Sequence, residues 1–314
     1  MPPPAVTSAR TWLLAARPAT LWAAVVPVLV GGGLAWGAGS ETLNCVTAPC
    51  PEGDRFFRWD AFFVTLVAAL AIQVAANFAN DASDAKRGAD NERRIGPTRA
   101  VASGLIGSHL MWVAVWVAFV VAAACGIYLA VISGPIIIVI GVVSILATLG
   151  YVGGPKPYGY MGLGELFVFV FFGVIATVGS RFVHDSTAPA AAWLLSVPVG
   201  FLVTAILVAN NIRDIETDAA TGKRTLAVIL GRSRTARLFD ALVYGALVML
   251  AVFAVAGWTP RWTMLGALAV PLAIPISRVV HTNTAGPPLI GALQATARLH
   301  LVVGALVALG AAIA

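Results

Sequence analysis

Two short stretches of this chain carry side chains able to hold a metal ion and a phosphate together. The first reads Asn77-x2-Asn80-Asp81-x2-Asp84-x-Lys86-Arg87-Gly88-x-Asp90, and the second reads Asn210-Asn211-x-Arg213-Asp214-x-Glu216-x-Asp218, then Gly222-Lys223-Arg224-Thr225. Aligned on Asn80 and Asn210, both read Asn-x3-Asp, at an offset of 130 residues. Half of the 14 acidic residues fall within 81–92 and 214–218. On a helix, Asn77, Asp81 and Asp84 share one face, and Asn210, Asp214 and Asp218 step along another by single turns. Like charges one turn apart repel, so neither ladder helps its own helix. Together they offer hard oxygen ligands of the kind Mg²⁺ shares with a substrate phosphate. The nearby Lys86, Arg87, Arg93, Arg94, Arg99, Lys223 and Arg224 would neutralise phosphate oxygens. Ordinary charged loops would explain one such stretch as well. They do not explain two copies of one ladder.

The elements that must position these residues are set by composition. Of 314 residues, 59% are apolar and 11% charged, whereas a soluble domain is about 45–50% apolar and about 25% charged. Disorder, disulfide scaffolds and coiled coils are excluded with it. An all-α polytopic membrane protein remains, since a helical span needs roughly 20 mainly apolar residues. Nine stretches qualify: 18–38, 59–80, 106–130, 135–151, 163–183, 190–212, 236–257, 262–280 and 289–312. The expected fold is one domain over 1–314, nine transmembrane helices around a central cavity, with an internal pseudo-repeat (77–104 and 210–226). Arg10 and Arg17 precede a first apolar run too long for a cleavable signal, so it reads as a retained helix.

Charge then orients the chain. With the N-terminus cytoplasmic, only Arg55, Arg58, Arg181 and Arg261 of the 20 Lys/Arg fall outside, which places the N-terminus inside and the C-terminus outside. The net charge of +6 is then a topology signal and calls for no nucleic acid. Cys45 and Cys50 share the first outer loop, where a disulfide would need an oxidising compartment. The four histidines have no metal-ligand spacing.

Both acidic stretches, with their surroundings, resemble the aspartate-rich motifs of the UbiA superfamily of intramembrane prenyltransferases. The resemblance is nearest to the branch acting on 1,4-dihydroxy-2-naphthoate in menaquinone synthesis. It is carried by Arg17-Pro18-x-Thr20-Leu21, by Asn80-Asp81-x2-Asp84-x3-Gly88-x-Asp90 with Gly96-Pro97-x-Arg99, and by Gly153-Gly154-Pro155 through Tyr160. It continues through Gly162-Leu163-Gly164-Glu165, Asn210-Asn211-x-Arg213-Asp214-x3-Asp218, Gly222-Lys223-Arg224-Thr225 and Arg298-Leu299-His300. Ala82 departs from it, since many members have an aromatic there, and so does the cysteine-bearing loop.

The resemblance implies Mg²⁺-dependent transfer of a polyprenyl group from its diphosphate to 1,4-dihydroxy-2-naphthoate with loss of CO₂, giving demethylmenaquinone in a cell membrane, with the site facing the cytoplasm. It implies Asn80, Asp81, Asp84, Asp90, Asn210, Asp214 and Asp218 as metal ligands, Asp81 as a ligand or a residue that orients one. Asp84, Asp214, Lys223 and Arg224 would be catalytic. Arg17, Lys86, Arg94, Arg99, Tyr151, Tyr160, Asn77 and Asn211 would bind substrate. Phe167, Phe169, Phe171, Phe172 and Trp193 are candidates for a prenyl channel, and Glu165 for a helix cap or an arginine contact. Another aromatic acceptor, such as 4-hydroxybenzoate, is the alternative within the superfamily. A secondary transporter is the alternative outside it, disfavoured because transporter sites lie near the midplane and these acids sit at helix ends.

Overall fold

A break at Arg17 sets how the chain enters its bundle. Ser8 opens the first helix, α1 (Ala9–Ala16), by accepting the Thr11 backbone N–H, as serine does at an N-cap. Pro18 ends it, because the residue before a proline is disfavoured from the α region. Arg17 takes φ 52° and ψ 72°, a left-handed conformation uncommon outside glycine, and its N–H bonds the Leu14 carbonyl. Pro18 then begins α2 (Pro18–Ala38), at the one helical position where its missing N–H does no harm. At 8 residues α1 is too short to span a bilayer, and it leaves Leu13 and Leu14 59% and 54% exposed. Its length and exposed leucines suit an interfacial helix, an element absent from the sequence-based expectation.

The computed structural model describes residues 8–38, 57–87, 99–153, 157–284 and 286–314. After α2 come α3 (Trp59–Lys86), α4 (Ser108–Ser133) and α5 (Ile136–Val152). A 3₁₀ turn (Tyr158–Tyr160) leads into α6 (Gly164–Asp185), α7 (Ala190–Ala220) and the short α8 (Leu226–Leu230). The chain closes with α9 (Arg232–Val255), α10 (Arg261–Thr282) and α11 (Pro287–Ala312). Among the described residues, eight helices are long and apolar enough to cross a membrane, and α5, at 17 residues, is a shorter apolar helix where the fourth span was expected.

Where the structure departs from the expected boundaries, it lengthens the two helices that matter. The run expected to end at residue 80 continues as helix to Lys86, and the run expected to end at 212 continues to Ala220. Both acidic ladders therefore stand on helices rather than in loops. Polar residues stay helical there because partners on other elements satisfy them: Ser83 donates to the Val152 carbonyl at 2.7 Å.

Glycine sets the closest helix contacts. Gly33 and Gly37 of α2 lie against the backbone of Ala308 and Ala311 of α11, the small-residue contact by which helices associate in lipid. Helices α2 to α7, with Leu293 of α11, line a cavity of about 310 Å³. A π-helical segment, Phe169–Ile175, sits in the middle of α6; its wider turn re-aims side chains and often marks a functional site. Phe167, Phe171 and Phe172 face the cavity. Phe169 packs instead on Phe201, at 5.8 Å between ring centroids, and Trp193 is exposed, so neither belongs to a channel.

Candidate active site at the ends of α3 and α7

The cavity opens between the two acidic ladders. Asp84 is buried at the end of α3. Its Oδ1 accepts the Tyr160 hydroxyl at 2.8 Å, and its Oδ2 accepts from Arg99 Nη2 at 3.2 Å. Asp81, one turn earlier, accepts the backbone N–H groups of Ala100 and Val101 at 2.9 and 3.1 Å. It anchors the turn that begins at Arg99 and so brings that guanidinium to Asp84. The orienting role, rather than the ligand role, is the one its geometry supports. Asn77 donates to the Ala16 carbonyl at 2.8 Å and to the Thr20 hydroxyl at 3.1 Å, which pins the Arg17 break against α3.

On α7 the pattern repeats with different partners. Arg213 is buried and grips Asp214 with two bonds, Nε to Oδ1 at 2.7 Å and Nη2 to Oδ2 at 2.5 Å. The same Nη2 reaches Asn210 Oδ1 at 2.9 Å. Lys223 Nζ lies 3.7 Å from Asp218 Oδ1, and the Lys223 backbone N–H donates to the Asp218 carbonyl. The ladders were expected to be repulsive. Asp84, Asp214 and Asp218 instead have cations beside them, Arg99, Arg213 and Lys223 respectively, and Asp81 is held by backbone N–H groups.

Tyr160 joins the two halves. Its turn fits closely because Gly159 has no side chain; a Cβ there would approach the Tyr151 carbonyl oxygen to 2.7 Å. Tyr158 anchors the turn by donating its hydroxyl to the Ala147 carbonyl. The Tyr160 ring then lies beneath Lys223 Nζ, 5.1 Å away, and Arg87, 5.2 Å away, within cation–π range. Its carbonyl accepts the Arg224 N–H. Burial first, and the Asp84 charge second, push the Tyr160 phenol well above the usual tyrosine range. It stays a hydrogen-bond donor at any physiological pH.

Arg17, Asn77, Asn80, Asp84, Arg99, Tyr151, Asn210, Asn211 and Lys223 all line the cavity. Asp214 and Asp218 do not line it; they stand beside Asn210 and Lys223, which do. Lys86 and Arg224 are exposed and off the cavity lining, because the ends of α3 and of the 218–223 turn point those side chains outward. The substrate role expected of Lys86 and the catalytic role expected of Arg224 have no support in that placement. Asn211 lines the cavity and donates to buried Glu165 at 2.9 Å; Glu165 stands in the first turn of α6 and hydrogen-bonds its own backbone N–H, as an acid at a helix start does. Asp90, Arg94, Cys45 and Cys50 lie outside the described residues. Arg213 was not foreseen as a site residue, although its place between Asn210 and Asp214 is the signal that reveals it.

For a divalent cation the donors suit in kind. Among the described residues no three His, Cys, Asp or Glu gather closely enough to form a cage. Mg²⁺ is usually held by one or two carboxylates together with substrate phosphates. Asp84, Asn80 and Asn210 offer such oxygens to the cavity, and Asp214 stands one turn beyond Asn210 with its oxygens on Arg213.

The sequence profile of the UbiA prenyltransferase family matches residues 50–290. A 1,4-dihydroxy-2-naphthoate octaprenyltransferase of Mycobacterium leprae is 37% identical over 306 residues, covering 98% of this chain and 97% of the relative. Its counterpart in Mycobacterium tuberculosis is 37% identical over 307 residues, covering 98% of both. Among solved structures, a UbiA homolog of Archaeoglobus fulgidus bound to DMAPP and Mg²⁺ superposes with a TM-score of 0.65, at 13% identity, over 95% of this chain and 99% of that one.

Proposed function

The chain belongs to the UbiA prenyltransferase family, and from that premise we propose that it transfers a polyprenyl group from its diphosphate to 1,4-dihydroxy-2-naphthoate. The observation that carries this reading is Tyr160, whose hydroxyl is on Asp84 of the first ladder and whose ring is under Lys223 of the second. It makes one site of two motifs. The mycobacterial relatives are named for this acceptor and match nearly end to end.

In the reaction the allylic C–O bond breaks with its electron pair going to the diphosphate. The cation so formed is attacked by the ring carbon that bears the carboxylate. That carboxylate leaves as CO₂, and its bonding pair restores the aromatic ring, so no protein base has to remove a ring proton. Both ring hydroxyls are untouched, and the product leaves as the hydroquinone form of demethylmenaquinone. Asn80, Asp84, Asn210, Asp214 and Asp218 would hold Mg²⁺, which would supply positive charge for the diphosphate oxygens. Lys223, Arg17 and Arg99 add fixed positive charge at the cavity mouth, where exclusion of water strengthens it. Tyr160 holds Asp84 in position, and Phe167, Phe171 and Phe172 offer ring faces to the allylic cation.

Purified protein supplied with Mg²⁺, octaprenyl diphosphate and 1,4-dihydroxy-2-naphthoate should release CO₂ and a prenylated naphthol, and chelation by EDTA should stop the reaction. No product with any aromatic acceptor would refute prenyl transfer. A product that keeps its carboxylate, formed only from 4-hydroxybenzoate, would refute the acceptor alone. Tyr160→Phe should lower turnover about tenfold or somewhat more, on the scale of a hydrogen bond to a charged group. Because the phenol stays protonated, wild type and variant should share one pH–rate shape from pH 7 to 9. An alkaline limb present only in the wild type would contradict the assignment. The raised phenol also means the unfolded chain loses this proton first, so stability should fall as pH rises past about 10.

We further infer that the motif-bearing end faces the cytoplasm, at the plasma membrane. The excess of Lys/Arg at that end supports the orientation. With Cys45, Cys50 and Cys125 replaced by serine, an impermeant maleimide added to intact cells should label Ser186→Cys and leave Thr221→Cys unlabelled; the reverse pattern would invert it.

A further inference from the structure

The far end of the cavity is built differently from its mouth. Leu129 of α4, Ile137 of α5 and Val183 of α6 pack with Ala61 of α3 in one buried cluster. The first three also line the cavity, so they form its floor. One turn inward from each stands a lining glycine: Gly126 three positions before Leu129, Gly141 four after Ile137, and Gly179 four before Val183. A Cβ at any of the three would find no atom within 4 Å. None has positive φ.

Several other helical glycines of the bundle are wedged between neighbours, and Gly291 of α11, which is not, lies off the cavity. A Cβ on Gly31 would come to 2.6 Å from the Ser180 Cβ, and one on Gly266 to 2.7 Å from a Val307 methyl. Those glycines let helices touch. The three above the floor only leave space, in the residue that is the poorest helix former after proline.

The space they leave is deep. Thr65, four positions after Ala61, lines the cavity at the same level, and 19 positions of α3 separate it from Asp84. At about 1.5 Å per residue that is roughly 28 Å of helix. The wall between carries the ring faces of Phe167, Phe171 and Phe172.

We propose that Gly126, Gly141 and Gly179 form a collar that admits the distal isoprene units of a long donor, with Leu129, Ile137 and Val183 as the stop. The collar makes these glycines determinants of donor length. This rests on the prenyl-transfer reading and adds to it where the length is measured. A leucine at a collar position would project into the lumen, crowd no helix and improve helix propensity, so the variants should fold.

The test compares kcat/KM for octaprenyl and geranyl diphosphate, with Mg²⁺ and the same acceptor, in Gly126→Leu, Gly141→Leu and Gly179→Leu. Geranyl diphosphate ends well short of the collar, whereas the octaprenyl tail reaches it. The octaprenyl-to-geranyl ratio should fall at least tenfold in two or more variants, and by less in the corresponding alanine substitutions. A ratio within twofold of wild type in all three would overturn the proposal, because the tail would then leave the cavity elsewhere. An equal loss with both donors would overturn it too, since that marks general damage rather than length discrimination. Wild-type protein that transfers neither donor would instead refute the prenyl-transfer reading.

Discussion

Asp84→Asn is expected to lower turnover by about 10²–10³-fold, the scale set by removing one well-placed electrostatic group from a water-excluded site. The substitution keeps the size of the side chain and one oxygen acceptor. It removes the charge that meets Tyr160 at 2.8 Å and Arg99 at 3.2 Å. Because the shape survives, the protein should remain folded, and the loss should appear in kcat together with a higher Mg²⁺ requirement. Asp84→Ala is a poorer probe, since it also removes the side-chain volume and every oxygen that could accept from Tyr160 or Arg99. If Asp84→Asn kept more than a tenth of wild-type turnover at saturating Mg²⁺, Asp84 would be a positioning residue rather than a metal ligand.

Asp214→Ala should act on stability as well as on chemistry. From the sequence, removing one acid of a ladder looks like relief of repulsion. The structure reverses that sign. The Arg213 side chain is 2% exposed and bonded to Asp214, and taking one partner from a buried ion pair costs about 3–5 kcal/mol. Thermal unfolding should therefore shift down by roughly 10 °C, using the usual scaling for a chain of this order of size. The double variant Arg213→Met/Asp214→Leu separates the two roles. Replacing a buried pair by apolar side chains of similar volume is often neutral or stabilising, so it should recover the unfolding temperature while staying inactive. An Asp214→Ala protein as stable as wild type would remove the ion-pair argument. A stable double variant with normal turnover would remove Asp214 from the site.

Much of this was legible in the sequence because lipid is a strict solvent. Apolar runs long enough to cross it have few alternatives, and eight expected spans recur as helices that meet the length and hydropathy demanded of a span. Residue type was informative as well. Asn80, Asp84, Asn210 and Lys223 were singled out by chemistry and spacing alone, and the fold brings them to one cavity.

What was not legible depended on partners. Hydropathy falls at Asp81 and Ser83 and marks a helix end, yet the backbone N–H groups of Ala100 and Val101 and the Val152 carbonyl satisfy these residues and the helix runs on. A sequence shows that Lys86 and Arg224 are basic, but not that they point away from the cavity. The Arg213–Asp214 grip joins neighbouring positions, which face apart on an ideal helix, so periodicity hides it. Spacing also cannot say whether a glycine is wedged between helices, like Gly33, or faces an open lumen, like Gly141.

The pinned break at Arg17 makes the bilayer surface a working part of the site. Helix α1 packs Trp12 and Ala15 on α3 and turns Leu13 and Leu14 outward, while the Ala16 carbonyl and Thr20 hydroxyl at its hinge are held by Asn77 of α3. The short helix meets α2 at one left-handed residue, so a shift of α1 would move the Arg17 guanidinium. A change in lipid packing that lifted or sank α1 would be felt as a change in the field at the mouth of the cavity. The headgroup layer would then tune this site as an additional ligand would, without touching a substrate.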